Sequence, residues 1–155
     1  MGYIEALREK VGNDPVILVR PSVLIVNPKG EILLVRHDHD TWGVPGGHME
    51  LGETVEESAI REIKEEVGLR LKKLTLYGVF SGNELYTRLR NGHVYYNVVI
   101  GYLCTEYEGE LKPDGIEVLE AKFFRFDQLP ESTDPYVRKK VMENSGALMA
   151  MLPPK

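Results

Sequence analysis

The chain has 155 residues, 43% hydrophobic and 28% charged, the composition of an ordinary globular protein large enough for a real core. Its formal net charge of −5 lacks the basic field that duplex nucleic-acid binding needs. A single cysteine, Cys104, excludes an internal disulfide, and the longest apolar runs, VLIV and ILLV, are far too short to span a membrane.

The N-terminal MGYIEALREKVGND carries five charges and no apolar core of signal-peptide length, so no secretion signal and a cytoplasmic location are expected. Tyr3, Ile4, Leu7 and Val11 have helical spacing, which predicts a helix over 3–11 ended by Asn13-Asp14-Pro15. That apolar face packs on its own sheet or on a partner subunit, which leaves a homodimer open. Val16 to Val26 is rich in β-branched residues and reads as a strand, with Pro21 marking an edge or a bend. Asn27-Pro28-Lys29-Gly30 is a turn, and Glu31 to Arg36 the return strand of a hairpin. Residues 37–40 form a polar loop, and WGVPGG (42–47) a short strand running into a glycine bend.

Thr54 is the expected N-cap of a helix over 55–67, Glu57 completes a capping box, and Gly68 stops the helix. Val55, Ala59 and Ile63, with Ile60 and Val67, form its expected buried stripe. Strands follow at Leu69–Ser81, Val94–Thr105 and Glu120–Phe126, separated by a polar loop (82–92) and a turn-rich connection (106–115). Asp127-Gln128-Leu129-Pro130 starts a short helical turn, and Pro135–Asn144 is a last helix. Cys104, inside VVIGYLC, reads as a small buried hydrophobe. Strands around a central helix, with helices at both ends, predict an α/β sandwich with a mixed sheet in one domain spanning 1–155. The helix at 3–11 and the segment 131–155 are expected as peripheral additions.

The chemistry concentrates at 47–69, where seven of the seventeen residues from Glu50 to Glu66 are glutamates. By itself a Glu-rich helix reads as a solvated face. On a helix, however, Glu62, Glu65 and Glu66 are neighbours, and clustered carboxylates repel unless a cation relieves them. Hard cations such as Mg²⁺ take carboxylate, carbonyl and water oxygens. Arg61 can pair with Glu65 four residues on, or reach back to Glu53 and tie the loop to the helix.

The order Gly47-x5-Glu53-x7-Arg61-Glu62-Ile63-x-Glu65-Glu66-x-Gly68-Leu69 resembles the Nudix box, GX5EX7REUXEEXGU, at all nine defining positions over 23 residues. The WGVPGG before it is similar to the usual lead-in, and the element order over roughly 15–130 is similar to the Nudix α/β/α sandwich. The resemblance implies divalent-metal-dependent hydrolysis, with Mg²⁺ or Mn²⁺, of the pyrophosphate in a nucleoside diphosphate linked to another moiety. A dinucleoside polyphosphate, a nucleoside triphosphate and a nucleotide sugar all qualify. It implies Glu62, Glu65 and Glu66 as metal ligands, the Gly46 carbonyl as a further ligand, and Glu53–Arg61 as the salt bridge that shapes the loop. Glu117 or Glu120, before a strand similar to the family's E-x-x-W-F segment, would add another acid or the base. The alternative is a nucleotide-binding regulatory module without catalysis, which would be expected to lose acids that this chain keeps.

Substrate signals are thinner. Tyr86, Arg88 and Arg90 in loop 82–92 suit base stacking and phosphate binding, although a solvated loop reads as well. Tyr86 falls where the family's diadenosine-polyphosphate hydrolases tend to carry a tyrosine, and Glu84 stands where its ADP-ribose group tends to carry a proline. Trp42 could stack on a base or pack in the core. His37, His39 and His48 border the site, with His48 inside the box loop.

Overall fold

The computed structural model describes residues 2–37 and 40–151. Its elements are α1 (Tyr3–Val11), β1 (Val16–Ile25), β2 (Ile32–Arg36), β3 (Trp42–Gly43), α2 (Val55–Val67), β4 (Arg70–Leu71), β5 (Thr75–Phe80), β6 (Tyr86–Arg88), β7 (Val94–Cys104), β8 (Tyr107–Glu108), β9 (Glu120–Phe124) and α3 (Pro135–Met151). A 3-10 turn, Asn83–Leu85, precedes β6.

β7 is the central strand of a mixed sheet. β1 runs parallel to it on one edge, and β5 and β6 pair antiparallel along the other. A second sheet has the order β3-β2-β9, and β4 pairs with β8. The expected β1–β2 hairpin forms only at its tip. Asn27 Oδ1 accepts from the backbone N–H of Lys29 and Glu31, Val26 bridges Ile32, and the strands then part into different sheets.

Successive residues of a strand face opposite sides. Val23 and Ile25 of β1 point into a core shared with Ala59, Ile63 and Val67 of α2, while Leu24 of β1 and Val26 just after it join Trp42, Leu103 and Val141 of α3. Helices therefore cover both sides of the strands, an α/β/α sandwich. Thr54 caps α2 through its hydroxyl, which accepts from the Glu57 N–H at 3.1 Å, and Gly68 closes the helix in the left-handed region at φ 78°. Ile63→Ala is expected to cost roughly 2–5 kcal/mol, read by urea unfolding, because it opens a cavity against fully buried neighbours.

Several sequence expectations need correction. The strand expected over Leu69–Ser81 breaks into β4 and β5, which lie in different sheets. Ile60 is 37% exposed, and Glu66 takes a place in the buried stripe instead. Residues 82–92 contain a strand, β6, rather than loop alone. The Asp127–Pro130 segment is a turn, with Gln128 N–H donating to the Arg125 carbonyl. The last helix continues past Asn144 to Met151. Cys104 is buried as expected, and burial pushes its thiol pKa up. Among the described residues no helix is long and apolar enough to cross a membrane.

Candidate active site

Three carboxylates from two elements converge. Glu62 and Glu66 lie one turn apart on α2, and Glu117 comes from the loop before β9; their ligand oxygens lie within 4.8 Å of one another. Helical geometry explains the pairing. Residues four apart share a line, whereas Glu65 is turned by roughly 100° from Glu66. Glu65 accordingly projects outward and accepts from Arg61 at 3.3 Å.

Glu117 is delivered by a loop hung from the end of α2. The Glu66 and Val67 carbonyls accept from the N–H groups of Asp114 and Lys112 at 3.0 and 2.8 Å. Asp114 Oδ1 then gathers the N–H groups of Ile116, Glu117 and Val118 at 2.9–3.0 Å. Burial raises the Asp114 pKa, but these three bonds outweigh it and hold the group below its ordinary value. Glu120, the other acid before β9, is engaged elsewhere: Arg36 donates to its Oε1 at 2.8 and 3.1 Å.

Glu66 is 3% exposed, and its Oε2 has no hydrogen-bond partner among the described residues. Burial pushes its pKa up to about 8, Glu62 and Glu117 add to the rise, and Arg20 and the Gly46 N–H oppose it. Burial also raises Glu62, against the opposing Arg61. A buried carboxylate with an unpartnered oxygen, set among two more carboxylates, is costly unless an ion completes it. The donor set is all oxygen, which fits a hard divalent cation.

Arg61 organises the rim. It makes a bidentate pair with Glu53, Nε to Oε2 at 2.6 Å and Nη2 to Oε1 at 2.9 Å, and donates to Glu62 Oε1 at 3.0 Å. The same Glu53 Oε1 accepts the Glu50 N–H, so the expected loop-tying bridge is present. The bond from Arg61 holds Glu53 below the ordinary carboxylate range. Gly47 is required by close approach: a Cβ there would collide with the Glu62 carboxylate. Gly46 lies against Pro21 and Ser22 of β1, and its carbonyl accepts from Arg20 Nη2 at 3.3 Å.

A pocket of about 420 Å³ opens beside the cluster and borders it through Arg20, Ser22 and His37. Asn97 and Tyr95 on β7 line it, as do Tyr77 and Phe80 on β5 and Tyr136 and Lys140 on α3. Tyr86 lies at its edge against Tyr96, with ring centroids 5.4 Å apart. Arg88 and Arg90 are exposed and lie outside the pocket lining. Trp42 is 8% exposed and packs edge-on against Phe124, in the core rather than in the pocket. His48 is half-buried and bonded to Asn97, and His37 Nδ1 lies 2.8 Å from the Glu117 carbonyl. His39 lies outside the described residues.

Sequence reasoning missed Arg20, Asn97 and the pocket wall on α3. Arg20 sits in an apolar strand pattern, and nothing local shows that it faces the acids. It forms no ion pair with a described residue, a rare state for a half-buried guanidinium.

The sequence matches the NUDIX domain over residues 18–144, and the chain belongs to that family. Among its relatives is an ADP-ribose pyrophosphatase of Methanocaldococcus jannaschii, 39% identical over 69% of this chain and 62% of its own length. The chain thus covers less than two thirds of that relative. A MutT NUDIX hydrolase of Burkholderia pseudomallei has a similar structure, with TM-score 0.67 and 28% identity over 82% of this chain and 97% of that one. A UDP-X diphosphatase structure aligns at TM-score 0.66 and 26% identity, covering 95% of this chain and 70% of the other.

Proposed function

We propose that this chain hydrolyses the pyrophosphate linkage of a nucleoside diphosphate joined to another moiety, with Mg²⁺ or Mn²⁺ bound by Glu62, Glu66 and Glu117. The observation that carries the reading is the buried Glu66 carboxylate, its Oε2 unpartnered among the described residues, converging with two further carboxylates beside a pocket of nucleotide size. A bound divalent ion supplies charge neutralisation on the phosphoryl oxygens and an acidified water.

The chain's own groups do the rest. Phosphoryl transfer needs positioning and electrostatic stabilisation more than covalent chemistry. Arg20 offers N–H donors that are unpaired among the described residues, between the carboxylates and the pocket, where a phosphate would lie. Arg61 and Glu53 hold the loop that carries Gly46 and Gly47. Glu65, exposed on the rim and paired with Arg61, is within one turn of the cluster and available as a further ligand. Water attacks one phosphorus, the bond to the bridging oxygen breaks, and the proton released passes to a carboxylate of the cluster. The pyrophosphatase and diphosphatase named among the similar proteins take their names from compounds of this class.

The test is a panel of nucleoside diphosphate sugars, dinucleoside polyphosphates and nucleoside triphosphates, with Mg²⁺ or Mn²⁺, assayed for released nucleotide or phosphate. Turnover of at least one compound is expected. Tight binding without turnover across the panel would favour a recognition module. Glu117→Gln is expected to cut turnover by about 10²-fold, as loss of one stabilising group at the reacting centre does. Glu120→Gln, which disturbs only the pairs with Arg36 and Lys122, should stay within a few-fold of the parent.

A further inference from the structure

Asn97 stands on the central strand at the floor of the pocket, on the same face as Tyr95 and Val99. β1 pairs with β7 in parallel register, so Arg20 lies opposite Val99 and borders the same floor. Strands on both edges hold the backbone, and the Asn97 amide keeps only the freedom to turn over. His48 removes that freedom. Its Nε2 lies 2.7 Å from Asn97 Oδ1. A carbonyl oxygen only accepts, so Nε2 carries the hydrogen. The imidazole is itself fixed. Its ring stands edge-on to Tyr95, with centroids 5.3 Å apart and planes at 89°, and its backbone carbonyl accepts from Arg61 Nη2 at 3.4 Å. Asn97 Nδ2, with its two hydrogens, has no partner among the described residues.

We infer that Asn97, oriented by His48, determines base specificity: its Nδ2 donates to the ligand, so the pocket selects a nucleobase that turns a carbonyl to β7 over the counterpart with an amino group there. A free asparagine amide can read a donor and an acceptor together. Here the acceptor end is already committed to His48, and only the donor end meets the ligand. An amino group at that place would set donor against donor and leave Nδ2 buried without an acceptor, which costs about tenfold or more in affinity. His48 is a positioning residue in this arrangement and need not touch the ligand.

The inference rests on the nucleotide reading of the pocket, and a binding experiment separates it from the hydrolysis reading. Calorimetric titration of the metal-free protein compares inosine with adenosine 5′-monophosphate, and uridine with cytidine 5′-monophosphate. Each pair exchanges a carbonyl for an amino group. The expected result is preference for the carbonyl member by about tenfold in at least one pair. Asn97→Asp presents only acceptors and should reverse that preference, and Asn97→Leu should abolish it. His48→Phe should abolish it by freeing the amide, whereas His48→Gln, which can still donate to Oδ1, should retain it. Circular dichroism of each variant establishes that it folds. Equal affinity within both pairs, failure of all four nucleotides to bind, or a preference that survives in Asn97→Leu would overturn the inference. Intact discrimination in a protein that hydrolyses nothing would instead sink the hydrolase reading and leave this one standing.

Discussion

Glu66→Gln is expected to lower turnover by about 10²-fold or more while making the metal-free protein more stable at pH 8. The first effect follows from losing the most buried of the three converging carboxylates, since electrostatic stabilisation by a bound ion is worth several kcal/mol. The second follows from linkage. Glu66 has a pKa of about 8 in the folded chain against 4.5 ordinarily, so folding favours its protonated form. The stability that this proton carries is fully present below about pH 4.5 and is lost as pH rises toward 8. Each pKa unit corresponds to roughly 1.4 kcal/mol. Parent and variant should therefore unfold at similar temperatures near pH 4.5 and diverge as pH rises, the variant being the more stable at pH 8. Millimolar Mg²⁺ at pH 8 should raise the parent's melting temperature and leave the variant's nearly unchanged, by mass action on the folded state. A variant that melts lower than the parent at pH 8 without metal would sink this account of Glu66.

Arg61→Ala should be nearly as damaging to turnover although Arg61 lies outside the converging carboxylates. Its guanidinium bonds Glu53, Glu62, Glu65 and the His48 carbonyl. Removing it frees the glycine bend and deprives half-buried Glu62 of its counter-charge. A misplacement of about 1 Å at a reacting centre can cost on the order of 10²-fold, and that loss is expected in kcat. Arg61→Lys keeps the charge without the fork that grips both Glu53 oxygens, so it should recover only part of the activity. Full recovery by lysine would mean that charge alone matters at this position.

The spacing of apolar residues and the caps made α1 and α2 legible to the residue, because helical periodicity and Thr54 and Gly68 are local signals. The box pointed to Glu62, Glu65 and Glu66 as ligands, and to the Glu53–Arg61 bridge that the structure contains. The orientation of α2 was less legible. Ile60 reads as core in any hydrophobicity pattern, yet the helix is rolled so that charged Glu66 is buried and Ile60 faces out. Local preference yielded to the site there. Choosing between Glu117 and Glu120 needed the backbone bonds that hang the loop from the end of α2 and the Arg36 pair across β2 and β9, both long-range facts. β6 was hidden because Tyr86-Thr87-Arg88 is too short for an alternation signal. The last helix was legible as an element, but its place as a pocket wall depends on how the sheets pack.

The hanging of the Glu117 loop from the end of α2 also sets an order of assembly. Glu62 and Glu66 meet as soon as one helical turn forms, a local event on a fast timescale. Glu117 joins them only after the backbone contacts from Asp114 and Lys112 to the helix end have closed a loop of roughly fifty residues. The chain therefore passes from a two-carboxylate half-site to the complete one late in refolding. Metal uptake followed by stopped-flow should lag the far-ultraviolet signal of the helices, which makes ion binding a clock for that closure.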